Sequence, residues 1–113
     1  EYGAFDLRVT GIIDFGDMVA GFPVLELAVG APYAALEKND PLAAAAPIVA
    51  GYHQVFPLTE LEIGCLYDFI AMRLGLSVVI AAAQRKAAPA NEYLTSSEKP
   101  AWALLEQWRT VRP

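Results

Sequence analysis

The chain has 113 residues, 56% of them hydrophobic and 19% charged, which leaves room for one domain and excludes a disordered or solvated tail. Eight Lys and Arg against thirteen Asp and Glu give a net charge of −5; with no basic cluster longer than Arg85-Lys86, the sequence predicts no nucleic-acid partner. One cysteine, Cys65, and one histidine, His53, exclude an internal disulfide and a Cys/His zinc site.

A mean hydropathy of +0.36 in so short a chain predicts apolar faces meant for something outside it. The opening Glu1-Tyr2-Gly3-Ala4 has no basic n-region, no apolar h-region and no initiating Met. The expectation is a cytoplasmic protein and a truncated piece of a longer chain.

Leu7 to Asp14 is β-branched with an apolar end, and Phe5 to Gly16 is expected to be the surviving end of a β-hairpin. Gly16 to Pro23 is a loop. Pro23 then stands as the first residue of a helix carrying Val24, Leu25, Leu27, Ala28 and Ala31, which Gly30 and Pro32 should weaken or end. Asp40 as N-cap and Pro41 at N1 open a second helix to Phe56, with a kink expected at Pro47. Thr59 and Glu62 form a capping box for a long helix reaching about Ala88. From Ile63 to Ala83 that helix is apolar nearly all round and long enough for a membrane span. Asp68 and Arg73 near its centre would each cost roughly 2.5–3.5 kcal/mol in a bilayer, so a helix buried among other helices, and no membrane, is the expectation. A last helix, capped by Ser96 or Ser97, has the apolar stripe Ala101, Leu104, Leu105, Trp108 and Val111. The fold class is therefore mainly α with a short N-terminal β-hairpin (α+β), with residues 1–22 as strand end and loop and 23–113 as a helical subdomain.

The chemistry concentrates in Ile12-Ile13-Asp14-Phe15-Gly16-Asp17. A carboxylate leaving a strand end, Asp14, loses little side-chain entropy on ligating Mg²⁺, which takes one or two carboxylates plus phosphates and water. Gly16 lets phosphates approach the backbone.

The run Val9-Thr-Gly-Ile-Ile-Asp-Phe-Gly-Asp-Met, followed by Pro23-x-x-Glu26-Leu27-Ala28, resembles the aminoglycoside phosphotransferase and choline kinase family of protein-kinase-like small-molecule kinases. The resemblance extends to the hydroxylysine kinase and type II homoserine kinase branch through Gly51-Tyr52, Pro57-Leu58-Thr59, Glu62, Arg73-Leu74 and Tyr93-Leu94-Thr95. It covers nearly the whole chain as the C-terminal part of the catalytic lobe. It implies that Asp14 binds the Mg²⁺ ions bridging the ATP phosphates, and that Asp17 holds a metal-bound water or caps the following turn. Glu26 stands where the family has an aspartate that braces the catalytic loop. The His-Gly-Asp…Asn loop that supplies the base, and the N-terminal lobe that anchors ATP, are not in these residues, so no catalytic base is assigned and the chain alone is expected to be inactive and to bind neither ATP nor Mg²⁺. Left uncovered, Phe15, Val19, Phe22 and the long helix should drive homo-oligomerisation.

The remaining candidates have plainer readings. Tyr93, Trp102 and Trp108 would form an aromatic wall for a substrate ammonium, or simply pack helices. Asp68 and Arg73 would select a polar substrate, satisfy each other or meet the missing loop. His53 is read as a solvated helix-end residue and Cys65 as an inert core thiol. Two functions remain: part of a kinase phosphorylating a hydroxyl of an amino alcohol or hydroxyamino acid, or a non-catalytic helical interaction module, in a parent that the resemblance also allows to be fused to a class III aminotransferase.

Overall fold

The computed structural model describes residues 10–16, 18–88 and 98–111. Four helices follow in order: α1 (Val24–Ala35), α2 (Pro41–Val55), α3 (Glu60–Ala87) and α4 (Glu98–Trp108). α1 lies against both α2 and α3, and α4 lies along α3. Among the described residues there is no strand: Thr10 to Phe15 form no regular element and are exposed. The rest of the expected hairpin, residues 5–9, lies outside the described residues.

Helix α1 begins without a side-chain cap. Pro23 already has helical dihedrals, φ −56° and ψ −31°, because its ring presets φ and its missing N–H would have had no helical acceptor. The helix does not end at Gly30 or Pro32 but runs to Ala35. Val24, Leu27, Ala28, Ala31 and Ala35 are all buried at helical spacing, and burying that stripe outweighs one lost backbone hydrogen bond at Pro32. The stop comes at Glu37, whose φ of 58° is left-handed, a conformation usually left to Gly or Asn past a helix end.

Asp40 caps α2 as expected, its Oδ1 accepting from the Ala43 N–H at 2.9 Å, and the helix continues through Pro47 to Val55. The Thr59–Glu62 capping box is complete. Thr59 Oγ1 accepts from the Glu62 N–H at 3.2 Å, and Glu62 Oε2 accepts from the Thr59 N–H at 2.8 Å. The Thr59 hydroxyl also donates to Glu62 Oε2, at 2.8 Å, and the two bonds that this carboxylate accepts from Thr59 hold its pKa below the ordinary value, the backbone bond being the larger cause. In α4, Pro100 falls within the first turn, where its missing N–H leaves no helical bond unmade. The expected caps Ser96 and Ser97 lie outside the described residues.

The core joins all four helices: Val24, Leu27, Ala31 and Ala35 from α1, Ala45 from α2, Leu66, Ile70 and Leu74 from α3, and Ala101, Leu104 and Trp108 from α4. Alanine at six of the buried positions lets the helices approach closely. The expected stripe of α4 is the one that packs, with Leu105 and Val111 half-buried beside it. Tyr67 and Trp108 stack at 5.7 Å between ring centroids and bond reciprocally. The Tyr67 hydroxyl donates to the Trp108 carbonyl at 3.2 Å, and Trp108 Nε1–H donates to the Tyr67 carbonyl at 3.2 Å.

Helix α3 differs from the buried helix that the sequence predicts. Only Leu66, Ile70, Leu74 and Ala81 are buried, on the side facing α1 and α4. Its most apolar 18-residue window is only 17% buried, and by length and composition the helix is long and apolar enough to cross a membrane. The opposite side carries Leu61, Met72, Leu76 and Val79, all exposed, at intervals that keep them in one row along about 27 Å of helix.

Candidate functional site

The chain reaches α1 through an exposed segment that contains Asp14. Asp14 has a φ of 70°, a left-handed conformation that Asp adopts more readily than most residues. Non-glycine residues held in that region cluster at functional sites. The Met18 N–H donates to the Phe15 carbonyl at 3.2 Å, closing a turn around Gly16. No glycine among the described residues has a positive φ, so the unusual backbone here belongs to Asp14 and not to Gly16. A Cβ on Gly16 would meet nothing within 4 Å, which leaves that backbone open to approach. Asp17 lies outside the described residues.

Magnesium needs few protein ligands when phosphates supply the others. Asp14, exposed and free to present its carboxylate, fits the part of one such ligand. Among the described residues no three His, Cys, Asp or Glu side chains converge, so the remaining ligands would have to come from elsewhere.

The surroundings are apolar and uncovered. Ile13, Met18, Val19 and Phe22 are exposed at 88, 75, 83 and 74%, as an Asp14 turn awaiting other chain segments would be. The far end of this segment is tied down, because the Tyr52 hydroxyl donates to the Pro23 carbonyl at 3.2 Å and joins α2 to the entry of α1. Sequence reading missed that clamp; the pairing Gly51-Tyr52 stood out, but its partner is 29 positions away. Glu26 sits exposed in the first turn of α1, where the helix dipole favours a carboxylate.

The other candidates separate. Trp108 is buried against Tyr67, whereas Trp102 is 52% exposed beside Arg85 and Glu98, so the two tryptophans do not share a wall; Tyr93 lies outside the described residues. Asp68 is exposed and Arg73 half-buried, and the two do not pair. His53 is exposed in the last turn of α2, and its Nδ1 accepts the Leu58 N–H at 3.0 Å. Cys65 is half-buried and unbridged. Between α2, α3 and α4 an open groove of about 420 Å³ is lined by Leu42, Ala46, Val49, Ile63 and Trp108 with His53 at its polar edge.

Asp14 thus stands on a left-handed turn that leads into a helical assembly, in a sequence that resembles protein-kinase-like small-molecule kinases. Comparison with known proteins finds relatives of that class. Over 100 residues the chain is 38% identical to hydroxylysine kinase of Xenopus laevis, a match covering 88% of this chain and 27% of that protein. The hydroxylysine kinase of Mus musculus is 38% identical over 101 residues, with the same coverage, and that of Bos taurus 36% identical over 107 residues, covering 94% of this chain and 28% of the relative. The chain thus spans about a quarter of the length of the curated relatives it matches. No family model matches, and no solved structure does.

Proposed function

We propose that this chain is the C-terminal part of a small-molecule kinase which, when complete, transfers the γ-phosphate of ATP to a hydroxyl group of a hydroxyamino acid or amino alcohol. The observation that carries this reading is the 38% identity to hydroxylysine kinase along 88% of the chain. The left-handed Asp14 turn supports it independently. In such an enzyme Mg²⁺ bridges the nucleotide phosphates and neutralises developing charge. Asp14 would be one of its ligands, with Asp17 nearby in sequence and Gly16 leaving the backbone accessible. The catalytic base and the nucleotide-anchoring groups would come from the preceding part of the complete protein.

In the full-length protein, Asp14→Asn keeps shape and removes charge, so it should lower kcat by roughly 10²–10³-fold, the usual loss for a group that stabilises transition-state charge. Circular dichroism should show the fold unchanged. Retained turnover would sink the assignment of Asp14.

The exposed apolar row on α3 supports a second reading, a kinase-derived module that binds a partner without catalysis. The two separate on nucleotide affinity. Mg-ATP that raises the Tm of the full-length protein, and no longer does so in Asp14→Asn, favours the kinase; a Tm indifferent to Mg-ATP favours the module.

A further inference from the structure

A small pocket of about 20 Å³ lies between α1, α3 and α4, lined by Tyr33, Leu36, Arg73, Leu74, Ser77 and Ala101. The Arg73 Nε is buried and has no hydrogen-bond partner. It is the one buried side-chain nitrogen or oxygen among the described residues left in that condition. Half-burying a guanidinium without an opposite charge is costly, and leaving a charged donor unbonded adds to that cost.

Among the described residues no carboxylate answers it. The helical neighbours of Arg73 at i±3 and i±4 are Phe69, Ile70, Leu76 and Ser77. The Ser77 hydroxyl donates to the Arg73 carbonyl at 3.1 Å and does not accept from Nε–H. Glu98 of α4 is held by Arg85 at 2.6 Å. Asp68 is five positions away, about 140° around the helix. Glu37 follows the pocket residue Leu36 but forms no ion pair with Arg73 and is exposed.

The volume admits a single oxygen-sized group, and the lip, where Tyr33 is 57% exposed, is open to solvent. From the orphaned donor, the lack of an acid beside it among the described residues and a pocket with room for one oxygen, we infer that this pocket receives a carboxylate that the described residues do not supply, one oxygen of which accepts from Arg73 Nε–H. A water would satisfy the donor but leave the charge unbalanced; a carboxylate does both, in the charge-assisted geometry that guanidinium favours. The inference is independent of the kinase reading. The carboxylate has two sources open to it, a free small molecule or an acidic side chain outside the described residues.

The test follows the Arg73 Nε–H signal by ¹⁵N NMR in the 113-residue chain, titrated with sodium acetate and, in parallel, with sodium chloride at equal ionic strength. Acetate should produce a saturable shift at Arg73 Nε–H and at the amides of Leu74 and Ala101 that chloride does not. Arg73→Lys keeps the charge but loses that N–H, and should weaken the acetate response at the amides roughly tenfold or more. If that variant fails to fold, the acetate–chloride contrast in the unaltered chain decides alone. Glycine acting where glycinamide does not would assign the site to a free small molecule. A full-length protein whose Arg73 Nε–H exchanges slowly and ignores acetate would assign it to an internal acid. Identical responses to acetate and chloride would overturn the inference, and so would a shift of the Arg73 signal on Glu37→Gln, which would make Glu37 the partner.

Discussion

At Glu37 the backbone is left-handed and the side chain has no compensating role visible among the described residues. A Cβ in that conformation costs about 1–2 kcal/mol, part of which glycine returns through its larger unfolded-state entropy. Glu37→Gly should therefore raise stability by up to about 1 kcal/mol, read as a higher denaturant midpoint at constant m-value. Thr59 and Glu62 bear on stability differently, through hydrogen bonds at the start of α3. Replacing Thr59 by Ala removes a cap worth about 1 kcal/mol and should lower Tm. The pKa of Glu62 is lowered in the folded chain; its contribution is thus present above the ordinary carboxylate pKa and lost as pH falls through the folded value. Acid unfolding should begin at higher pH in Thr59→Ala, and Glu62→Gln should remove this part of the pH dependence. Both features of the box were legible in the sequence, because capping chemistry is local. The left-handed Glu37 was not, since nothing in its residue type announces it.

Among the elements, α3 and α4 are joined by both packing and reciprocal hydrogen bonds. Leu104 is 1% exposed and Trp108 3%, and the Tyr67–Trp108 pair closes two hydrogen bonds between the same two helices. Leu104→Ala should cost about 2–5 kcal/mol, a large part of the roughly 5–15 kcal/mol that holds a domain folded. Thermal or urea unfolding followed at 222 nm would measure it. The stripe of α4 was legible because a 3.6-residue period survives in eleven residues. The length of α1 was misjudged because Gly30 and Pro32 speak for a local stop, whereas the packing of Ala31 and Ala35 against α3 is decided by residues far along the chain. The Tyr52–Pro23 clamp escaped for the same reason. For the candidate site, the sequence singles out Asp14 and predicts a strand before it; no strand is present among the described residues, and the left-handed turn emerges only from the structure.

At the scale of the molecule, large apolar side chains stand exposed in two places among the described residues. Ile13, Val19, Phe22 and the α3 row of Leu61, Met72, Leu76 and Val79 are all exposed, as the composition predicts for a chain that covers part of a larger core. The isolated chain should therefore self-associate in a concentration-dependent way. Met72→Lys with Val79→Lys should shift sedimentation toward the monomer and leave helix content unchanged, because neither side chain is buried in the core. A monomer at high concentration without those changes would show that the row needs no cover.

The two tryptophans divide the molecule optically. Trp108 is enclosed against Tyr67 and Trp102 stands 52% exposed on the same helix, so their emission should separate into a blue component shielded from acrylamide and a red component open to it. In Trp102→Phe, only the shielded emitter remains, and its spectrum becomes a direct gauge of whether α4 is docked. Any ligand or missing segment that settles on this scaffold can then be followed without an added dye.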